Sequence, residues 1–138
     1  TIFLVLQQSS RGPVTFVRDA ASAALEGSQE TVVAMRQEYE RRCSQVCEIL
    51  DGIPSVSVVV PEGGFFAMLD VRELAMSSDR IRRVLLQEYE VVLVHGAAYG
   101  ESAEGMLRVS FASGGDNLQQ GLRRLRKGLN ALATGSSI

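Results

Sequence analysis

Along one stretch of the chain apolar residues recur at steps of three and four: Val32, Met35, Tyr39, Cys43, Val46 and Leu50. That spacing predicts an amphipathic helix of about five turns. Ser28 is placed to cap its start, and Gly52 and Pro54 end it. Upstream, Phe16, Ala20, Ala21, Ala24 and Leu25 predict a shorter helix capped by Thr15 and stopped by Glu26-Gly27-Ser28. The residues before it give no periodicity, and Ser9-Ser10-Arg11-Gly12-Pro13 reads as a break. Near the far end, Leu118, Leu122, Leu125, Leu129 and Leu132 predict a last helix, after which residues 134–138 read as a frayed tail.

The middle of the chain changes period. Val56 to Val60 is rich in valine and predicts a strand. Pro61-Glu62-Gly63-Gly64 is a turn, and Phe65 to Val71 a second strand. Ser77 or Ser78 caps a helix with Ile81, Leu85 and Tyr89 on one face. The unbroken apolar run Val91 to Val94 predicts a strand buried on both faces. A glycine- and alanine-rich loop covers His95 to Gly105, and Met106 to Ala112 predicts a fourth strand. The expected fold is α/β, a small, mostly antiparallel sheet covered by helices.

Composition narrows the classes of function. The chain has 138 residues, 46% hydrophobic and 22% charged, as expected of a globular domain. A net charge of −2 gives no electrostatic footprint for a nucleic acid. No apolar run reaches membrane-spanning length, so neither nucleic acid nor membrane is an expected partner. Two cysteines make no disulfide framework, and a reducing cytoplasm is the expected compartment. Thirteen of the fourteen basic residues are arginine, and Lys127 is the single lysine.

Four features are candidates for chemistry. Cys43 and Cys47 lie one turn apart on the long helix and read as small core residues, since a metal site would need further ligands and the single histidine is far off in sequence. His95 is the single histidine and reads as a loop residue making one hydrogen bond. Arg123-Arg124-Arg126-Lys127 reads as a solvated cluster in the final turn of the last helix, where cations suit the dipole. Arg108 interrupts an apolar strand between Leu107 and Val109, directly after a glycine-rich loop. A guanidinium there either snorkels to water or serves an anion, whose carboxylate its planar fork matches. Spacing alone leaves those two readings equal.

Four segments resemble one family. Pro61-Glu62-Gly63-Gly64-Phe65-Phe66 is similar to the "P-x-G-x-F-Y" segment of class I/II aminotransferases, enzymes of fold type I that include aspartate aminotransferase. Val91 to Gly100, V-V-L-V-H-G-A-A-Y-G, resembles that family's "V-x-V-x-P-G-x-x-F-G". Gly105 to Ala112, G-M-L-R-V-S-F-A, resembles "G-x-x-R-[IL]-[SC]-[FY]-[AS]". Asp19-Ala20-Ala21, Ala23-Ala24-Leu25, Met35-Arg36 and Tyr39-Glu40-Arg41-Arg42 resemble the segment that follows the family's cofactor lysine. The matches keep family order from about Gln7 to Leu132. Two positions depart: His95 stands where proline is usual and Arg18 where glutamine is common.

The resemblance implies the C-terminal small domain of an enzyme that uses pyridoxal 5'-phosphate to move an amino group between an amino acid and a 2-oxo acid, as a homodimer. It implies residues 1–28 as the segment following the large domain, 29–133 as the small domain and 134–138 as a tail. Arg108 falls on the arginine that binds the substrate α-carboxylate. Tyr99 falls on the loop aromatic beside the substrate, and Gly64 on the turn glycine near the same pocket. Thr15 falls in the stretch that approaches the cofactor phosphate of a partner subunit. The Schiff-base lysine lies upstream of the matched region, so the chain alone is expected to be inactive. Two other classes are a free-standing α/β anion-binding module and a dimerisation domain in which Arg108 makes an internal ion pair.

Overall fold

The computed structural model describes residues 2–9 and 12–135. The chain divides into two compact units, one ending at Arg36 and one beginning at Gln37. Thr1, Ser10, Arg11 and the last three residues of the expected tail lie outside the described residues.

In the first unit, α1 (Ile2–Ser9) and α2 (Thr15–Glu26) are helices that bury no side chain. Phe16 is 74% exposed and Leu25 81%. Thr15 is the first helical residue of α2 rather than its cap. Val14 holds the capping position, and no side chain accepts a hydrogen bond there. The long helix α3 (Glu30–Leu50) runs through the boundary between the units. Ser28 sits one residue before the cap position: the Gln29 carbonyl accepts from the Val33 amide at 3.0 Å, and the Ser28 hydroxyl accepts from the Glu30 amide at 3.3 Å. The apolar stripe splits in its surroundings. Val46 and Leu50 are buried and Tyr39 and Cys43 pack against the core, while Val32 and Met35 are exposed.

The second unit holds the sheet. Its strands are β1 (Ser57–Val59), β2 (Phe66–Asp70), β3 (Val94–His95) and β4 (Met106–Ser110), in the order β1-β2-β4-β3, with every pairing antiparallel. β4 is central, and its register against β2 sets Leu107 opposite Leu69 and Arg108 opposite Met68. Because side chains alternate across a strand, Ala67, Leu69, Leu107 and Val109 all turn into the core. Phe66, Met68, Met106 and Arg108 share the other face. The expectation for Val91 to Val94 is corrected here. Only Val94 and His95 pair as strand, at the sheet's edge, and Val92 is 81% exposed while Val91 and Leu93 are buried. An edge strand has one neighbour and one covered face, so an apolar run there need not be buried twice.

Helices α4 (Ser78–Tyr89) and α5 (Gly115–Thr134) cover the core face with Ile81, Leu85, Leu118, Leu122, Leu125 and Leu129. They meet closely at Gly128, where a Cβ would lie 2.5 Å from Leu85 Cδ2. α5 continues to Thr134 and ends at left-handed Gly135, so the basic cluster lies inside the helix and not in its final turn. Nor is the whole cluster solvated. Arg126 is half-buried and donates to the carbonyls of Ile49 and Asp51, the latter at 2.8 Å, closing the end of α3.

Ser77 is the cap of α4, accepting from the Arg80 amide at 3.3 Å. Ser78, fully buried, donates its amide and its hydroxyl to the Glu104 carboxylate, each at 2.8 Å. These bonds hold the Glu104 carboxyl below its ordinary value of 4.5, the Ser78 amide contributing most. A carboxyl depressed in the folded state adds stability above its unfolded pKa, and that stability is lost as pH falls through the folded value. Urea midpoints of the wild type should therefore drop more steeply below about pH 4.5 than those of Glu104→Gln. Parallel curves would remove Glu104 from the acid transition.

Candidate functional site

Arg108 is carried outward on the central strand because its neighbours Leu107 and Val109 are drawn into the core. Across the sheet it faces Met68 on β2 and Val94 on β3. Its guanidinium carbon lies over the Phe66 ring, 4.1 Å from the centroid, and over the Tyr99 ring at 4.9 Å. Its Nε is buried without a hydrogen-bond partner. Among the described residues no carboxylate lies within ion-pair distance of Arg108, whereas Arg41, Arg42, Arg72, Arg82, Arg83 and Arg124 each have one. The internal ion pair considered from sequence is thus not formed among these residues. Two rings attract the cation without neutralising its charge, and the buried Nε is left without an acceptor.

The rings come from two places. Phe66 begins β2, and the turn before it contains Gly64 in the left-handed region at φ +77°. Phe65 then joins the end of β4, its carbonyl accepting from the Phe111 amide at 2.9 Å. The rings of Phe65 and Phe66 lie 4.5 Å apart, and Tyr39 of α3 lies 5.9 Å from Phe65 and 6.5 Å from Phe111. Arg42, one turn further along α3, stacks on Tyr39 and donates to the Ala112 carbonyl at 2.6 Å. An aromatic row thus runs from α3 to Arg108.

Tyr99 closes the other side from the loop after β3, which folds as two 3-10 turns, Gly96–Tyr99 and Glu101–Ala103. The turns fit together only because residue 96 has no side chain. A Cβ there would sit 1.8 Å from the Ala103 carbonyl oxygen. His95, the departure from the family pattern, is paired with Leu107 in the ladder rather than lying in the loop. Its Nδ1 is 3.9 Å from Asp79, whose carboxyl is held low chiefly by Arg82 and also by Arg83.

Of the four residues singled out from sequence, the structure brings Arg108 and Tyr99 together. Gly64 shapes the turn into β2, its link to Arg108 passing through Phe66. Thr15 lies in the other unit. Phe66 is the contact that sequence reasoning missed. The signal available was its parity with Met68 on a strand beside Arg108, which needs the register to be read. Cys43 and Cys47 are free and half-buried, and burial pushes the Cys47 thiol up.

No group of three or more metal-ligating side chains occurs among the described residues. A cofactor held as a Schiff base needs a lysine, and the single one, Lys127, is exposed on α5, which covers the sheet face opposite Arg108. The Arg108 face therefore carries no amine for a Schiff base, and its guanidinium is the cation it presents.

A small antiparallel sheet thus carries helices on one face and, on the other, an arginine stacked on two rings with no internal counter-charge among the described residues. The family model for aminotransferase class I and II matches residues 7–125, and the chain belongs to that family, in its C-terminal region. It is 36% identical over 119 residues to the aromatic-amino-acid aminotransferase 2 of Thermococcus litoralis, covering 83% of this chain. It is 35% identical over 114 residues to an arginine–pyruvate transaminase of Pseudomonas aeruginosa, again with 83% of the chain covered. The chain spans about 30% of the length of these relatives. The solved aromatic aminotransferase of Pyrococcus horikoshii superposes on 89% of the chain with a TM-score of 0.82 at 30% identity, 33% of that structure being covered.

Proposed function

We propose that this chain supplies the substrate-carboxylate site of an aminotransferase that moves an amino group between an amino acid and a 2-oxo acid. The observation that carries this reading is Arg108, stacked on Phe66 and Tyr99 with no internal counter-charge among the described residues. Rings attract the cation without supplying a carboxylate-type acceptor, so the planar donors remain free for a bidentate anion. Gripping the α-carboxylate fixes the orientation of Cα, and such positioning lowers the barrier to the step that follows. Tyr99, on its loop, covers the bound carboxylate and keeps water from it. Gly64 and Thr15 enter by resemblance, the first by shaping the pocket wall, the second toward the cofactor phosphate of a partner subunit in a homodimer.

Pyridoxal phosphate, when bound, supplies an electron sink for chemistry at Cα. Residues outside this chain hold it, and we place the enzyme in the cytoplasm. The test is an amino-transfer assay on the full-length gene product with a panel of amino acids and 2-oxo acids. Transfer by the full-length protein is expected, with none by the chain alone, which keeps no pyridoxal phosphate after desalting. A full-length product that transfers no amino group overturns the proposal.

A further inference from the structure

We infer that Phe66 is a positioning residue: its ring fixes the plane in which the Arg108 donors meet the substrate carboxylate. The inference deepens the proposed carboxylate site and rests on it. An arginine side chain has several rotatable bonds, and an unpartnered guanidinium can turn through many orientations. Bidentate binding accepts only one of them, so an ordered arginine binds with less loss of entropy.

Of the two rings over Arg108, Phe66 is the nearer, at 4.1 Å against 4.9 Å. It is also the better supported. Phe66 lies in the β2–β4 ladder opposite Ser110, and its ring is backed by Phe65, which in turn meets Tyr39 of α3. Tyr99 stands on a glycine-flanked 3-10 turn and is 55% exposed. The fixed wall is therefore Phe66 and the cover is Tyr99. In the same arrangement the Arg108 Nε is buried and unpartnered, so no hydrogen bond to the protein holds the guanidinium in place of the ring.

The test uses Phe66→Met, which keeps volume without a ring face, Phe66→Leu as a second substitution, and Phe66→Tyr, which keeps the ring. In the full-length holoenzyme, loss of the ring should lower kcat/KM for the amino acid about 3- to 30-fold, mainly through KM, with Phe66→Tyr near wild type. An independent readout is the nitrogen-detected Nε–H resonance of Arg108. Ring current should displace it in wild type and in Phe66→Tyr, and it should return toward the position of a free arginine in Phe66→Met. Unchanged KM and an unchanged resonance in both Phe66→Met and Phe66→Leu overturn the inference. If Arg108→Ala itself leaves kcat/KM intact, the carboxylate site fails first, and Phe66 with it.

Discussion

Replacing Arg108 by alanine in the full-length enzyme is expected to lower kcat/KM for the amino acid by roughly 30- to 5,000-fold, the range for removing one partner of a desolvated charge pair. KM should rise because the carboxylate loses its fork, and kcat should fall because Cα is no longer held in one orientation. Arg108→Lys should land between the two enzymes, since it restores charge without the planar pair of donors. The folded state gives a control. The Arg108 side chain makes no hydrogen bond to described residues, and its Nε is buried unsatisfied. Its removal should therefore shift the unfolding midpoint little. A variant that kept full kcat/KM, or one that merely unfolded, would assign Arg108 a structural task.

The second large effect is expected at Gly96. The Cβ of alanine would fall 1.8 Å from the Ala103 carbonyl oxygen and 3.0 Å from Met106 Cβ, the first contact being with backbone. Neither neighbour can swing aside as a flexible side chain would, so the pair of 3-10 turns must open. Overpacking of this kind costs about 1–3 kcal/mol. The displacement also carries Tyr99 off Arg108, because Tyr99 ends the turn that Gly96 begins. Gly96→Ala should show both a lowered unfolding midpoint and a raised KM for the amino acid. Loss of stability with an unchanged KM would mean that Tyr99 contributes nothing to substrate binding.

Much of this arrangement was legible in the chain, and the failures have physical reasons. The long helix, α4 and α5 are visible because their apolar residues keep one period over three or more turns. Leu107, Val109 and Phe111 alternate around Arg108, so its outward direction is written in the strand itself. Val91 to Val94 misled because an apolar run does not say whether a strand is central or at an edge, and Val92 is exposed. The helix α1 gave no signal because Ile2 to Leu6 is apolar without period. The basic residues of α5 suggested a helix end, yet three of them do reach solvent while Arg126 reaches back to the end of α3. Phe66 was invisible for a different reason. Its meeting with Arg108 depends on strand register, a relation between two segments some forty residues apart.

That register also governs which changes of length the gene can accept. β4 has a partner on each side, so its side chains have no freedom to rotate singly. Deleting one codon between Gly105 and Arg108 would advance the strand by one residue. Leu107 and Val109 would then face outward and the guanidinium would enter the core, an exchange of both faces at once. A two-codon change preserves the alternation and shifts only the pairing. Over this stretch an in-frame deletion of a single codon is therefore more damaging than a substitution at the same place, and indels of even length are the ones that descent can sample.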